Sequence, residues 1–222
     1  MNFFITGTDT AVGKTLISCA LLHGFAAQGK RVVGMKPVAA GYDDNDQHED
    51  AVLLRAAGNV LASKGQINPY CFSLPAAPHL AAQFVGVSIN LERIATTYSE
   101  LVRVADVVIV EGVGGLLVPL NAKQDSADLV LLLDLPVILV VGMRLGCLNH
   151  ALLTVEAIAA RGLKLAGWVA NAVDANMPML DENVAALQQR ISAPLLGVVP
   201  YLPQADARVA ATRLNLELLQ EG

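Results

Sequence analysis

Nine consecutive residues near the start of the chain, Gly7 to Thr15 (GTDTAVGKT), are the types that phosphate chemistry requires. Backbone N–H groups around Gly13 can converge on an anion where a helix begins, and the helix dipole strengthens their pull. Lys14 brings a positive charge within reach of β- and γ-phosphates, and Thr15 brings a hydroxyl suited to a phosphate-bound Mg²⁺. The usual spacing has four residues between the first glycine and the Gly-Lys pair. Here five separate Gly7 from Gly13, and Thr8 stands where that glycine is expected. The physical requirements survive the departure, so the stretch reads as a site for Mg·ATP.

Other candidates lie far off in sequence. Glu111 closes an apolar run within VEGVGG, where a strand-end carboxylate can hold Mg²⁺ or its waters. The glycines after it, Gly114 among them, let backbone come close to a ligand. Lys36, in KPVAAG, is an ammonium that can neutralise charge developing during phosphoryl transfer. Asp50 is either a helix-start carboxylate or a further metal ligand. Asn171, at the end of GWVAN, could read a purine edge or cap a turn. The segment LGCLNH, Leu145 to His150, sits between a strand and a helix and is a second natural anion site. Cys147 and His150 form no nucleophile–base–orienter set, and Cys147 reads as a buried or helix-start thiol. His48 and His79 lack metal-ligand spacing and read as loop residues.

These residues need a scaffold that gathers strand ends. The apolar runs Asn2 to Thr6, Arg31 to Lys36, Asp106 to Glu111, Pro136 to Gly142, Ala166 to Val173 and Leu195 to Val199 read as six strands. Helical patterns fall at Lys14 to Gln28, Leu91 to Val104, Cys147 to Arg161 and Pro178 to Ile191, and another helix starts near Glu49. Tyr42 to Asp50 is polar and acidic and reads as a mobile loop. Strands alternating with helices predict an α/β fold: a doubly wound, mostly parallel sheet flanked by helices, as one domain over residues 1–222. In such sheets ligands sit beyond the carboxyl ends of the strands, where most of these motifs fall.

The bulk composition agrees. Hydrophobic residues make up 54% and aromatics only 5%, which suits an aliphatic core on both faces of a parallel sheet. A net charge of -5, without clustered Lys or Arg, argues against nucleic acid or an anionic membrane as partner. Mean hydropathy is +0.50, yet the most apolar stretch, Leu129 to Met143, is broken by Asp134 and Pro136 and falls short of a spanning helix. Three scattered cysteines and an N-terminus without a basic leader are the expectation for a reduced, cytoplasmic protein.

Taken together, GTDTAVGKT, KPVAAG, NPYCF with Pro78-His79, VEGVGG, PVILVVGMRLGCLNHALLT, LAGWVAN and PLLGVVP resemble the dethiobiotin synthetase family, within the P-loop NTPase type of fold. The segments span most of the chain in order, and LGCLNH and GWVAN are specific where the P-loop alone is not. The resemblance implies that CO₂, ATP and 7,8-diaminononanoate react through a carbamate and a carbamic-phosphoric anhydride to a cyclic urea, ADP and phosphate. It implies catalytic roles for Lys14, Lys36 and Thr10, and Mg²⁺ held by Thr15, Asp50 and Glu111. Nucleotide contacts would come from Gly7, Thr8, Asp9, Ala11, Val12, Gly13, Lys14 and Thr15, with Glu111 and Gly114. Asn171 and the turn Pro200-Tyr201-Leu202 would face the adenine. The substrate would meet Lys36 and the helix start Gly146, Cys147, Leu148 and Asn149, at the interface of a homodimer.

Three positions depart from the family pattern. Ala11 stands where glutamate is frequent, Ala40 where KPVASG would place serine, and Asn183 where some relatives carry tyrosine. Two rival readings share the fold. A partitioning or positioning ATPase switch would carry a lysine early in the loop, whereas Thr8 and Asp9 occupy that region, and the tail Arg213 to Gly222 is more acidic than basic. A corrinoid amidase synthetase would need a glutamine-hydrolysing domain, for which 222 residues leave no room.

Overall fold

The computed structural model describes residues 1–42 and 47–219. Residues 43–46 of the expected 42–50 loop therefore lie outside the described residues. The elements follow in the order β1 (Asn2–Gly7), α1 (Lys14–Ala27), β2 (Val32–Met35), β3 (Val38–Ala40), α2 (Glu49–Ala57), α3 (Lys64–Ile67), β4 (Tyr70–Phe72), α4 (Pro78–Phe84), α5 (Leu91–Val102), β5 (Val107–Glu111), α6 (Ser126–Leu133), β6 (Val137–Met143), α7 (Cys147–Ala160), β7 (Leu165–Ala172), α8 (Leu180–Gln188), β8 (Leu195–Val199) and α9 (Ala207–Ala211), with a 3₁₀ turn at Glu217–Leu219.

Six strands form one parallel sheet in the order β2-β5-β1-β6-β7-β8. The chain runs outward from β1 to β2, returns through β5 and crosses β1 to reach β6. The order thus reverses beside β1, where doubly wound sheets open a crevice at their carboxyl edge. A separate parallel pair, β3 and β4, was not legible in the sequence because each strand has only three residues.

The strand sequences are apolar without a break because both faces are covered. Phe3 and Ile5 of β1 pack with α1 residues Ile17, Leu21 and Phe25, while Phe4 packs on the opposite face with Ile94 of α5 and Val130 of α6. Leu139, Val141 and Met143 of β6 and Trp168 of β7 build a further cluster with Ala151 of α7 and Leu187 of α8. The apolar run from Leu129 to Met143 is therefore two elements, the end of α6 and all of β6. Asp134, in the left-handed region at φ 51°, closes the helix, and Pro136 prevents it from resuming. Among the described residues no helix is long and apolar enough to cross a membrane.

A charged pocket under the phosphate loop

Strand β1 ends at Gly7, and the chain loops through Thr8 to Val12 before α1 begins at Lys14. The loop is tied to its neighbour strand: Thr8 N–H donates to Val140 O at 3.0 Å. Two of its residues are left-handed, Ala11 at φ 56° and Gly13 at φ 88°. No side chain caps the start of α1, so its first N–H groups stay directed outward, as an anion site requires. By contrast, α2, α5, α6 and α9 are capped by His48, Asn90, Asp125 and Asp206.

Around this helix start lies a cluster that sequence separation concealed. Strand β5 pairs with both β1 and β2, so Glu111 and Lys36 arrive at the same edge of the sheet. Lys36 Nζ lies 2.7 Å from Glu111 Oε1 and 2.8 Å from Asp50 Oδ2, and it donates to Gly112 O at 3.0 Å. Those contacts match the three donors of an ammonium. The Thr15 hydroxyl lies 2.8 Å from Asp50 Oδ1 and 2.9 Å from Glu111 Oε1, and can donate to one of them at a time. Lys14 Nζ donates to the Asp9 carbonyl at 2.9 Å.

Burial makes these contacts count. Glu111 is wholly buried and Lys36 is 3% exposed. Burial works against the Lys36 charge, but the Glu111 and Asp50 carboxylates outweigh it and hold the ammonium above its ordinary value. For Asp50, burial favours protonation, yet the Lys36 charge and hydrogen bonds from Lys36 and Thr15 keep the carboxyl below the usual range. Among the described residues, no carboxylate is in contact with Lys14 in this way. Burial, then repulsion from Lys36, lowers it to about 8.

The cluster opens into a cavity of about 750 Å³, walled by Thr10, Ala11, Gly13, Lys14, Thr15, Lys36, Asp50, Glu111 and Gly114. His48, which the sequence placed in a loop without a role, completes it with Ala39, Ala40, Pro75 to Pro78, Val113 and Val118. His48 is the N-cap of α2, its Nδ1 accepting from Asp50 N–H at 3.2 Å, and His79 lies within α4, so neither is a plain loop residue. Asp50 is a first-turn helix residue, one of the two readings given for it, and its carboxylate also joins this cluster. Arg144 was also missed. It ion-pairs with Asp9 at 2.6 Å, which only the adjacency of β1 and β6 reveals.

The remaining candidates lie outside these walls. Asn171, at the carboxyl end of β7, is buried and donates its amide Nδ2 to the loop carbonyl of Val12 at 2.9 Å. Pro200, Tyr201 and Leu202 follow β8 at the same sheet edge, with Leu202 packed on the α1 core and Tyr201 exposed. Gly146 starts α7 at φ 95° with no side-chain cap, Asn149 is exposed, and Cys147 is a buried thiol. A cleft of similar size, about 770 Å³, lies at the opposite edge of the sheet against Asn2, Pro136, Leu165 and Pro194, away from the charged cluster.

The cluster fits a small hard cation. Among the described residues Glu111 Oε2 is buried with no hydrogen-bond partner, and the Thr15 hydroxyl lies within hydrogen-bond distance of both the Asp50 and Glu111 carboxylates. No group of three or more His, Cys, Asp or Glu gathers as a metal cage among the described residues. Two carboxylates and a hydroxyl suit Mg²⁺, which takes few protein oxygens and completes its shell with phosphate and water.

A left-handed loop, an uncapped helix start with a buried lysine, one carboxylate at the neighbouring strand end and another in the first turn of α2 define a P-loop nucleotide-binding protein. Residues 1–209 match the AAA domain family. The fold is also that of the Pyrococcus furiosus cell division ATPase MinD, with a TM-score of 0.56, 17% identity, and 100% of this chain and 98% of that one covered. The MinC:MinD cell division protein complex of Aquifex aeolicus gives a TM-score of 0.57 at 14% identity, over 95% of this chain and 85% of that one. Sequence relatives are far nearer. The chain is 55% identical to the ATP-dependent dethiobiotin synthetase BioD of Nitrosospira multiformis, over 97% of this chain and 95% of the relative. It is also 55% identical to that of Aromatoleum aromaticum and 52% to that of Ralstonia nicotianae, over 96% of this chain and 96% and 94% of those relatives. The chain belongs to the ATP-dependent dethiobiotin synthetase family.

Proposed function

We propose that this protein is an ATP-dependent cyclo-ligase that carboxylates 7,8-diaminononanoate with CO₂ and closes the ring to dethiobiotin, releasing ADP and phosphate. The observation that carries the reading is the Lys14–Thr15–Lys36–Asp50–Glu111 constellation at the start of α1, in a chain 55% identical to named synthetases. The MinD-like fold at 17% identity does not favour a switch ATPase, and the loop has no lysine before Lys14.

The chemistry asks for positioning and charge compensation more than for covalent catalysis. One substrate amine adds to CO₂ and loses a proton, giving a carbamate. A carbamate oxygen attacks the γ-phosphorus, and the bond to the ADP oxygen breaks. The second amine then attacks the carbamoyl carbon, the ring closes and phosphate leaves. Lys14 would hold the β- and γ-phosphate oxygens, exchanging the Asp9 carbonyl for them. Lys36 would face the carbamate and transferring phosphoryl oxygens, and Thr10, in the cavity wall, would donate to them. Thr15, Asp50 and Glu111 would hold Mg²⁺, which neutralises phosphate charge when bound. Ala11 and Ala40 add no polar group to this wall.

Asn171 and the Pro200 to Leu202 turn would meet the base. The substrate carboxylate would meet the uncapped start of α7, Gly146 to Asn149. Leu145 is 97% exposed and Leu153 57%, which supports a homodimer whose second subunit covers this face. Cys19, Cys71 and Cys147 are thiols outside any disulfide, which supports a cytoplasmic setting.

Phosphate release from Mg·ATP in bicarbonate buffer, with and without the diamine and with product followed by mass, tests the reading. Release that requires the diamine and matches a cyclic urea supports it. Slow release indifferent to the diamine sinks it and points back to a switch ATPase.

A further inference from the structure

Asn171 lies 159 residues from Val12, yet its amide Nδ2 donates to the Val12 carbonyl at 2.9 Å, and the side chain is 3% exposed. Val12 is itself almost wholly buried, at 1%. Its side chain rests where two strand ends offer no side chain of their own. A Cβ on Gly7 would come within 2.6 Å of Val12 Cγ2, and one on Gly142 within 2.7 Å of Val12 Cγ1. The ends of β1, β6 and β7 thus grip one loop residue, two by leaving room and the third by a hydrogen bond. The same amide closes the far side of the next residue, since a Cβ on Gly13 would lie 2.2 Å from Asn171 Nδ2.

This matters because Val12 stands between the two left-handed residues of the loop, Ala11 and Gly13. An alanine held at positive φ costs about 1 kcal/mol or more, so the loop has reason to relax unless its neighbours hold it. A carbonyl whose partner is removed would turn, and with it the peptide N–H of Gly13, the group that begins the phosphate cradle.

We infer that Asn171 is a positioning residue for the phosphate loop: by holding the Val12 carbonyl it sets the cradle geometry, independently of any contact with a base. The inference rests on the triphosphate-binding reading above and deepens it. With one Nδ2–H committed to Val12, the amide keeps its second N–H and the acceptor Oδ1 for a base, so one side chain joins the base end of the site to its phosphate end.

The test uses a ligand without a base. Binding of Mg·tripolyphosphate and Mg·ATP to the full chain is measured calorimetrically for the parent, Asn171→Asp and Asn171→Ala, with thermal unfolding followed in parallel. Asn171→Asp keeps the shape but cannot donate to Val12. Both variants are expected to bind tripolyphosphate about tenfold more weakly, the scale of one lost buried hydrogen bond, with ATP weakened at least as much. Tripolyphosphate binding within twofold of the parent in a folded variant, with only ATP weakened, overturns the inference and makes Asn171 a base reader alone. Should the Asn171 variants fail to fold, Gly142→Ala displaces Val12 from the opposite side and is expected to weaken both ligands alike; unchanged tripolyphosphate binding there overturns the inference as well. A parent chain that binds ATP but not tripolyphosphate overturns it too, since the loop is then not shaped for phosphates by itself. Failure of the parent to bind either ligand would instead sink the phosphate site.

Discussion

Two helices of this protein begin alike and serve differently. Both α1 and α7 follow a strand buried at its carboxyl end, start at a left-handed glycine and lack a side-chain cap. At α1 the surroundings are complete. Asn171 closes over Gly13, Lys14 is buried beside the helix start, and paired carboxylates stand across the cavity. At α7 no atom of the described residues beyond its chain neighbours lies within 4 Å of where a Cβ on Gly146 would stand, and Leu145 beside it is almost fully exposed. An uncapped helix start is only an invitation to an anion. The buried charges and the fixed loop suit the first to a phosphate, whereas the second depends on what covers it.

The comparison can be broken most sharply at Lys14. Lys14→Gln is expected to lower turnover by at least about three orders of magnitude while circular dichroism stays that of the parent, because no other side chain in the loop carries positive charge to the phosphates. Near-normal turnover in a folded variant would remove α1 as the phosphate site. Lys36→Gln is expected to cost turnover about a hundredfold and nucleotide affinity much less. It should also cost stability, about 3 kcal/mol by denaturant unfolding, because Glu111 and Asp50 lose their buried counter-ion. An equal loss of affinity and turnover would mean that Lys36 binds ATP rather than serving transfer.

Paired substitutions set the two helix starts side by side. Gly13→Ala and Gly146→Ala both force a Cβ into positive φ, at a cost of about 1 kcal/mol each. Only Gly13→Ala also drives that carbon against Asn171, so only it should abolish detectable ATP binding by calorimetry. Asn149→Ala, on the exposed side of the α7 start, is expected to raise KM for the diamine about tenfold and leave KM for ATP unchanged. A reversed pattern would exchange the roles of the two helices.

The smallest effect is a pH dependence. Lys14 in the ligand-free fold titrates near 8, below the 10.5 of an unperturbed lysine. Between those values the unfolded chain holds the extra proton, so ligand-free stability rises with pH across that window. Phosphate binding needs the charged form, so ADP affinity measured calorimetrically should fall several-fold as pH rises through about 8. Lys14→Arg, which keeps its charge, should lack that fall. An equal fall in the arginine variant would assign the titration to another group.

What was legible in the sequence was whatever is local and periodic. GTDTAVGKT named the phosphate loop because its residue types act on one ligand from one stretch of backbone, and the six strands of the main sheet stood out as unbroken apolar runs. Helix α6 did not stand out. Its DLVLLL is apolar on every side, and without a polar face there is no period to read. The three-residue strands β3 and β4 are too short to carry a pattern at all.

The residues themselves singled out Lys14, Thr15, Lys36, Asp50 and Glu111 as candidates for a triphosphate site. Only the tertiary structure decided who faces whom. Strand order brings Lys36 and Glu111, 75 positions apart, to one contact, turns Arg144 to Asp9, and carries Asn171 across the sheet to the Val12 carbonyl. The physical reason is that a strand places its last side chain according to its neighbours in the sheet, and neighbours in a parallel sheet are chosen by crossovers, not by proximity in the chain.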